Sequence, residues 1–170
     1  AGLIQRLAAV DHEFDVYEFC LNRLVFNALV DELDAREAHG GGALGTSFSA
    51  LGILFSVLAT HGAAVPERSA AAFEAGIARA LPGPRRPPLE VPKDWPRRLW
   101  SALSRLESLH PGAKRTLVEA LVATISHDGQ LTVAEAELLR TVCAVLRCPL
   151  PLLLPRTSVD ASADGAGSPD

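Results

Sequence analysis

Six of the chain's twelve prolines fall between residues 82 and 96: Pro82, Pro84, Pro87, Pro88, Pro92 and Pro96. Proline has no backbone N–H and its ring clashes with the preceding turn, so this stretch cannot be regular helix. It reads as an extended connector, residues 82–93, joining two halves of about 1–81 and 94–154. Both halves carry helical periodicity almost throughout, and no alternating strand of useful length interrupts it. The expected architecture is all-α, a compact bundle of about six helices forming a single domain over residues 1–154. A chain of 170 residues can enclose a real core. Aromatic residues make up only 5% of it, so leucine, valine and alanine must do most of the filling.

Asp11 is placed to cap a long first helix reaching about Arg36, with Glu13, Asp15 and Glu18 near its positive end. The stripe expected to face inward is Phe14, Tyr17, Cys20 or Leu21, Leu24, Ala28 and Leu29. Gly40-Gly41-Gly42 then stops any helix and reads as a plain flexible link. A second helix, about Thr46 to Thr60, is apolar on most sides and should be central. Its densely apolar part is short beside the roughly 20 residues a membrane span needs, so a buried core helix is expected. A third helix starts at Pro66 and buries Phe73, Ile77, Ala80 and Leu81, while Ala70, Ala71, Ala72, Ala75 and Gly76 permit close approach. Asp94 is the expected cap of a fourth, with Leu99, Trp100, Leu103, Leu106 and Leu109 as its apolar set. Pro111 opens a fifth, with Leu117, Val118, Leu121, Val122 and Ile125 on one face and an end at Gly129. The last starts after Thr132 and buries Ala136, Leu139, Val142, Cys143 and Leu146. The tail, residues 155–170, is rich in Ser, Ala, Gly and Asp and is expected to be disordered.

Several chemistries are disfavoured. A net charge of −4 argues against a general nucleic-acid role. Cys20, Cys143 and Cys148 make neither a disulfide framework nor a CxxC motif and read as small buried residues. His12-Glu13 begins like the zinc-protease signature HExxH, but Val16 stands where the second histidine is required. His39, His61, His110 and His127 do not pair at ligand spacing. No nucleophile, base and orienting group can be named together, so no catalytic residue and no bound cofactor are expected in this chain. Arg85, Arg86, Lys93, Arg97 and Arg98 cluster around Trp95 and Trp100. They form a possible interaction patch for an acidic partner or anionic head groups. A solvated connector beside a helix start fits the same residues and is the plainer reading.

The segment Ile125 to Arg140 closes one helix, turns and opens another. Aligned with a calcium loop, Gly129 takes the turn, Asp128 precedes it, and Glu135 is the closing ligand. Thr124 and Ser126 then stand where carboxylates are needed. A structural reading uses every residue: Gly129 as a left-handed stop, Thr132 as the next N-cap, and Glu135 completing a capping box. Asp128, Glu135 and His127 are the only metal-ligand candidates the turn offers.

The run from Leu109-His110-Pro111 through His127-Asp128-Gly129-Gln130-Leu131-Thr132-Val133-Ala134-Glu135-Ala136-Glu137-Leu138-Leu139-Arg140 to Cys148-Pro149-Leu150-Pro151 resembles the end of a TerB-like, tellurite-resistance-like helical domain. More narrowly, it resembles the C-terminal part of bacterial membrane-bound zinc metallopeptidases. Asp11-His12-Glu13-Phe14-Asp15-Val16-Tyr17-Glu18-Phe19-Cys20-Leu21-Asn22-Arg23-Leu24 is similar to the start of that region. The resemblance covers most of residues 1–154. It implies a soluble accessory domain, regulatory or protein-interacting, whose parent carries the zinc, the HExxH site and the membrane helices upstream. The chain, which has no methionine, would then be a piece of that larger protein. Its partner would be the rest of the peptidase or another protein. It would meet the bacterial inner membrane only through the parent, on the cytoplasmic side. The alternative is a stand-alone TerB-like, metal-responsive binding module using Asp128, Glu135 and His127.

Overall fold

The computed structural model describes residues 15–33, 41–62 and 68–151. They form six helices: α1 (Val16–Leu33), α2 (Phe48–Gly62), α3 (Ser69–Ala80), α4 (Trp95–Leu106), α5 (Pro111–Ile125) and α6 (Val133–Leu146). A 3₁₀ turn, Leu44–Ser47, leads into α2. The fold is all-α: among the described residues there is no strand, only an isolated parallel bridge between Gly42 and Leu109. Asp11, His12, Glu13, Phe14, Arg36, His39, Gly40, Pro66 and the tail 155–170 lie outside the described residues.

The central helix is α2, which packs on α3, α4, α5 and α6. Its Leu51, Leu54, Phe55, Val57 and Leu58 are all buried, as an apolar circumference requires. The stretch Leu44–His61 is apolar and long enough to cross a membrane by composition, and 56% of it is buried inside the protein against the other helices.

The most extensive helix pairings are α3 with α5, α2 with α4, and α1 with α6. Each joins a helix before the proline-rich stretch to one after it. Neither side of that stretch therefore closes a core alone. The α3–α5 seam depends on one glycine. A Cβ on Gly76 would sit 1.9 Å from Thr124 Oγ1 and 2.6 Å from Phe55 Cε1, so only hydrogen fits there. Close approach thus falls on Gly76, while Ala70 and Ala71 face solvent.

Helix α1 departs from the expectation in two ways. Asp15 is non-helical, so no continuous helix runs from Asp11 past it. Instead Asp15 Oδ1 accepts the Tyr17 N–H, and the Asp15 N–H donates to Glu18 Oε2 at 3.3 Å. These are the bonds of an N-cap at Asp15. The buried face is also different. Val16, Phe19, Cys20 and Arg23 turn inward, whereas Tyr17, Leu21 and Leu29 are 46%, 57% and 54% exposed. Contact with α6 and α4 selects the inner face. Phe19 meets Trp95 and Trp100, and the Arg23 guanidinium lies 4.4 Å from the Trp100 ring centre.

Three boundary expectations also change. Gly42 is pinned rather than loose: its N–H donates to Ser108 O and its carbonyl accepts the His110 N–H, both at 3.0 Å. Asp94 precedes α4 without capping it, because its carboxylate is taken by Arg98 Nε at 2.9 Å. Helix α5 ends at Ile125, short of Gly129, because Ser126 and His127 close it with N–H bonds to Val122 O and Thr124 O. At its other end, His110 Nδ1 accepts the Ala113 N–H at 3.1 Å, a histidine N-cap that the sequence did not suggest.

Candidate functional site

Two places in the fold gather the residues singled out from sequence. The first is the turn between α5 and α6. Gly129 takes φ +74°, a left-handed geometry that suits glycine within the turn. Thr132 Oγ1 accepts the Glu135 N–H at 3.2 Å, and Glu135 Oε2 accepts the Thr132 N–H at 2.8 Å, forming a reciprocal capping box. The same oxygen also accepts the Thr132 hydroxyl at 2.9 Å. Glu135 is only 6% exposed, and burial pushes its pKa up against the lowering effect of the Thr132 bonds. The nearby Asp128 charge adds to the rise.

Asp128 is itself engaged. Its Oδ1 accepts the Gln130 N–H at 3.0 Å, and Oδ2 lies 3.7 Å from Arg68 Nη1. His127 is exposed. Both Asp128 oxygens and Glu135 Oε2 are thus committed to backbone, hydroxyl and guanidinium partners. Among the described residues no group of three His, Cys, Asp or Glu side chains is arranged to hold a metal.

The second place is an open groove of about 640 Å³ between the proline-rich stretch and helices α2 and α4. Its existence follows from local contacts. Gly52 leaves room for Pro87, whose Cβ lies 2.8 Å from where a side chain on that glycine would begin. Pro87 is buried there, and the Glu90 N–H donates to Ser56 Oγ at 3.1 Å. The chain is thus held against α2 and stands off α4, which leaves the groove between them. Gly52, Ile53 and Ala102 supply apolar surface, and Arg97, Arg98 and Arg105 line the α4 side.

The groove reorganises the arginine patch read from sequence. Arg97 and Arg98 belong to it. Arg85 lies 5.4 Å from the ring centre of Phe48, a groove residue. Arg86 instead pairs with Glu74 on α3. Trp95 is not a surface anchor: it is 7% exposed and packed at a tilt between Phe19 and His61, with ring centres at 5.7 and 4.9 Å. The first turn of α4 carries it inward while the arginines that follow point out. Arg105 was missed by the sequence reading. The available signal was its helical spacing with Arg97 and Ser101, which puts all three on one face.

The remaining reactive groups are quiet. Burial pushes the Cys20 and Cys143 thiols up to about 11, so they stay protonated at neutral pH. No family model, no curated protein and no solved structure matches this chain.

Proposed function

We propose that this chain is a TerB-like accessory domain, regulatory or protein-interacting and without catalytic residues of its own, from the C-terminal part of a bacterial membrane-bound zinc metallopeptidase. The observation that carries the reading is where the two family-like segments lie. Val16–Leu24 of the first falls in α1 and Val133–Arg140 of the second in α6, and these helices pack on each other. Both open on a short polar residue followed three positions later by glutamate: Asp15 with Glu18, and Thr132 with Glu135. Their packing together is what a single inherited module would require, although apolar faces alone also bring helices of a bundle into contact. In this reading zinc and the HExxH site belong to the parent, and the domain reaches the inner membrane only through it, on the cytoplasmic side. Reading the coding sequence upstream tests this. An HExxH helix and membrane-spanning segments are expected there, and an upstream region with neither would sink the proposal.

A second reading, a stand-alone metal-responsive module, draws on the closeness of Asp128 to the buried Glu135. Calorimetry with calcium and with zinc decides it. Saturable heat lost in Asp128→Asn supports a metal site, and the absence of heat or of a melting shift rejects one.

A further inference from the structure

We infer that the groove between α4 and the proline-rich stretch is a docking site for an acidic, extended peptide segment of a partner protein. The inference builds on the protein-interaction reading above, but not on the identity of the parent. Its basis is charge that the fold leaves unspent. Residues 85–105 carry six of the chain's sixteen Lys and Arg residues against only Glu90 and Asp94, in a protein whose net charge is −4. Arg98 is neutralised by Asp94. Arg97 and Arg105 are exposed, and their side chains have no hydrogen-bond or ion-pair partner among the described residues. Both line the groove, with the Ser101 hydroxyl between them.

The spacing of this row sets the ligand. Arg97 and Arg105 are eight residues apart on one helix, a rise of about 12 Å along the axis at 1.5 Å per residue. An extended peptide advances about 3.3 Å per residue, so two carboxylates four positions apart span the same distance. Between them, apolar side chains would lie on Ile53 and Ala102. Carboxylates suit arginine because its fork binds them through two parallel N–H donors. The shape favours a peptide over a membrane. A bilayer surface is held by protruding apolar anchors beside the basic residues. Here both tryptophans are withdrawn, Trp95 buried and Trp100 half-buried, and the arginines flank a concavity.

The test uses the full chain and a fluorescein-labelled decapeptide with two glutamates four positions apart and valines between them. Anisotropy titration at low salt should give saturable binding. Arg97→Ala and Arg105→Ala should each weaken it by about tenfold, the scale of one charge-assisted hydrogen bond, with melting temperatures unchanged. A peptide with adjacent glutamates should bind less well, and Glu90→Gln should tighten binding by removing a like charge. No saturable binding, or binding indifferent to both arginines, overturns the inference. So does arginine-dependent sedimentation with phosphatidylglycerol vesicles when the peptide fails to bind. None of these outcomes bears on what lies upstream in the gene, so the two readings fail separately.

Discussion

Helices α1 and α2 have opposite situations, and only α1 carries charged residues, Glu18, Arg23, Asp31 and Glu32, where α2 has no Asp, Glu, Lys or Arg. Both are apolar on most of their circumference. The core helix α2 packs on four other helices, leaves one side to the groove, and buries Leu51, Leu54, Phe55 and Leu58 completely or nearly so. The outer helix α1 packs along α6, reaches α4 through Phe19, Arg23 and Phe26, and leaves Tyr17, Leu21 and Leu29 in solvent. An apolar circumference therefore does not by itself make a helix central. Position in the bundle decides, and that position is set by contacts far away in sequence.

Substitutions can break or sharpen this contrast. The largest effect is expected at Leu54→Ala in α2, where a fully buried side chain leaves a cavity costing about 2–5 kcal/mol. Chemical denaturation measures it, and a loss below that range would mean that α2 is loosely packed. Next is Gly76→Ala. Its methyl group would overlap Thr124 and Phe55 and should cost about 1–3 kcal/mol, despite alanine's better helix propensity. The double variant Gly76→Ala with Thr124→Ser, which keeps the hydroxyl, should regain little, because Oγ1 and the Phe55 ring both remain in the way.

The capping glutamate gives a smaller, pH-dependent effect. Glu135 has a raised pKa in the fold, so the folded state holds its proton more tightly than the unfolded chain does. Its contribution then falls as pH rises from the ordinary carboxylate range through the raised value. Glu135→Gln keeps a side-chain acceptor for the box and removes the ionisation. Relative to the native protein, this variant should gain stability across that window, and a flat difference in melting temperature with pH would refute the assignment. The smallest effect belongs to the outer helix. Leu21→Gln and Leu29→Gln should each change stability by no more than about 0.5 kcal/mol, the usual scale for surface positions. A large loss at either would show that this face is covered in solution.

The same contrast explains what could be read from the sequence. The helices themselves were legible because their apolar residues repeat at helical spacing and prolines or glycines punctuate them. The inner face of α1 was not. Val16, Phe19 and Cys20 form one apolar stripe, Tyr17, Leu21 and Leu29 another, and only the seating on α6 chooses between them. The sequence makes Gly42 look like a loose link because its tether lies at Ser108 and His110, beyond any local pattern. In the groove, Arg97 and Arg98 are legible as charge, but Trp95 reads as part of the same patch because its neighbours are basic. Helical phase turns it the other way. Arg105 lay outside the cluster in sequence and joined it only through the geometry of α4.

The interleaved pairing of helices also governs the order in which this protein can acquire its structure. Asp31 near the end of α1 bonds to Arg147 just after α6, across 116 residues of sequence. Loop closure on that scale must be met before the contacts that reward it form, which slows folding and lengthens the life of incomplete states. During synthesis, the faces of α1, α2 and α3 that pack on α6, α4 and α5 emerge before those partners have been translated. Those faces stay uncovered until the later helices emerge, the interval in which exposed apolar surface carries the greatest risk of aggregation.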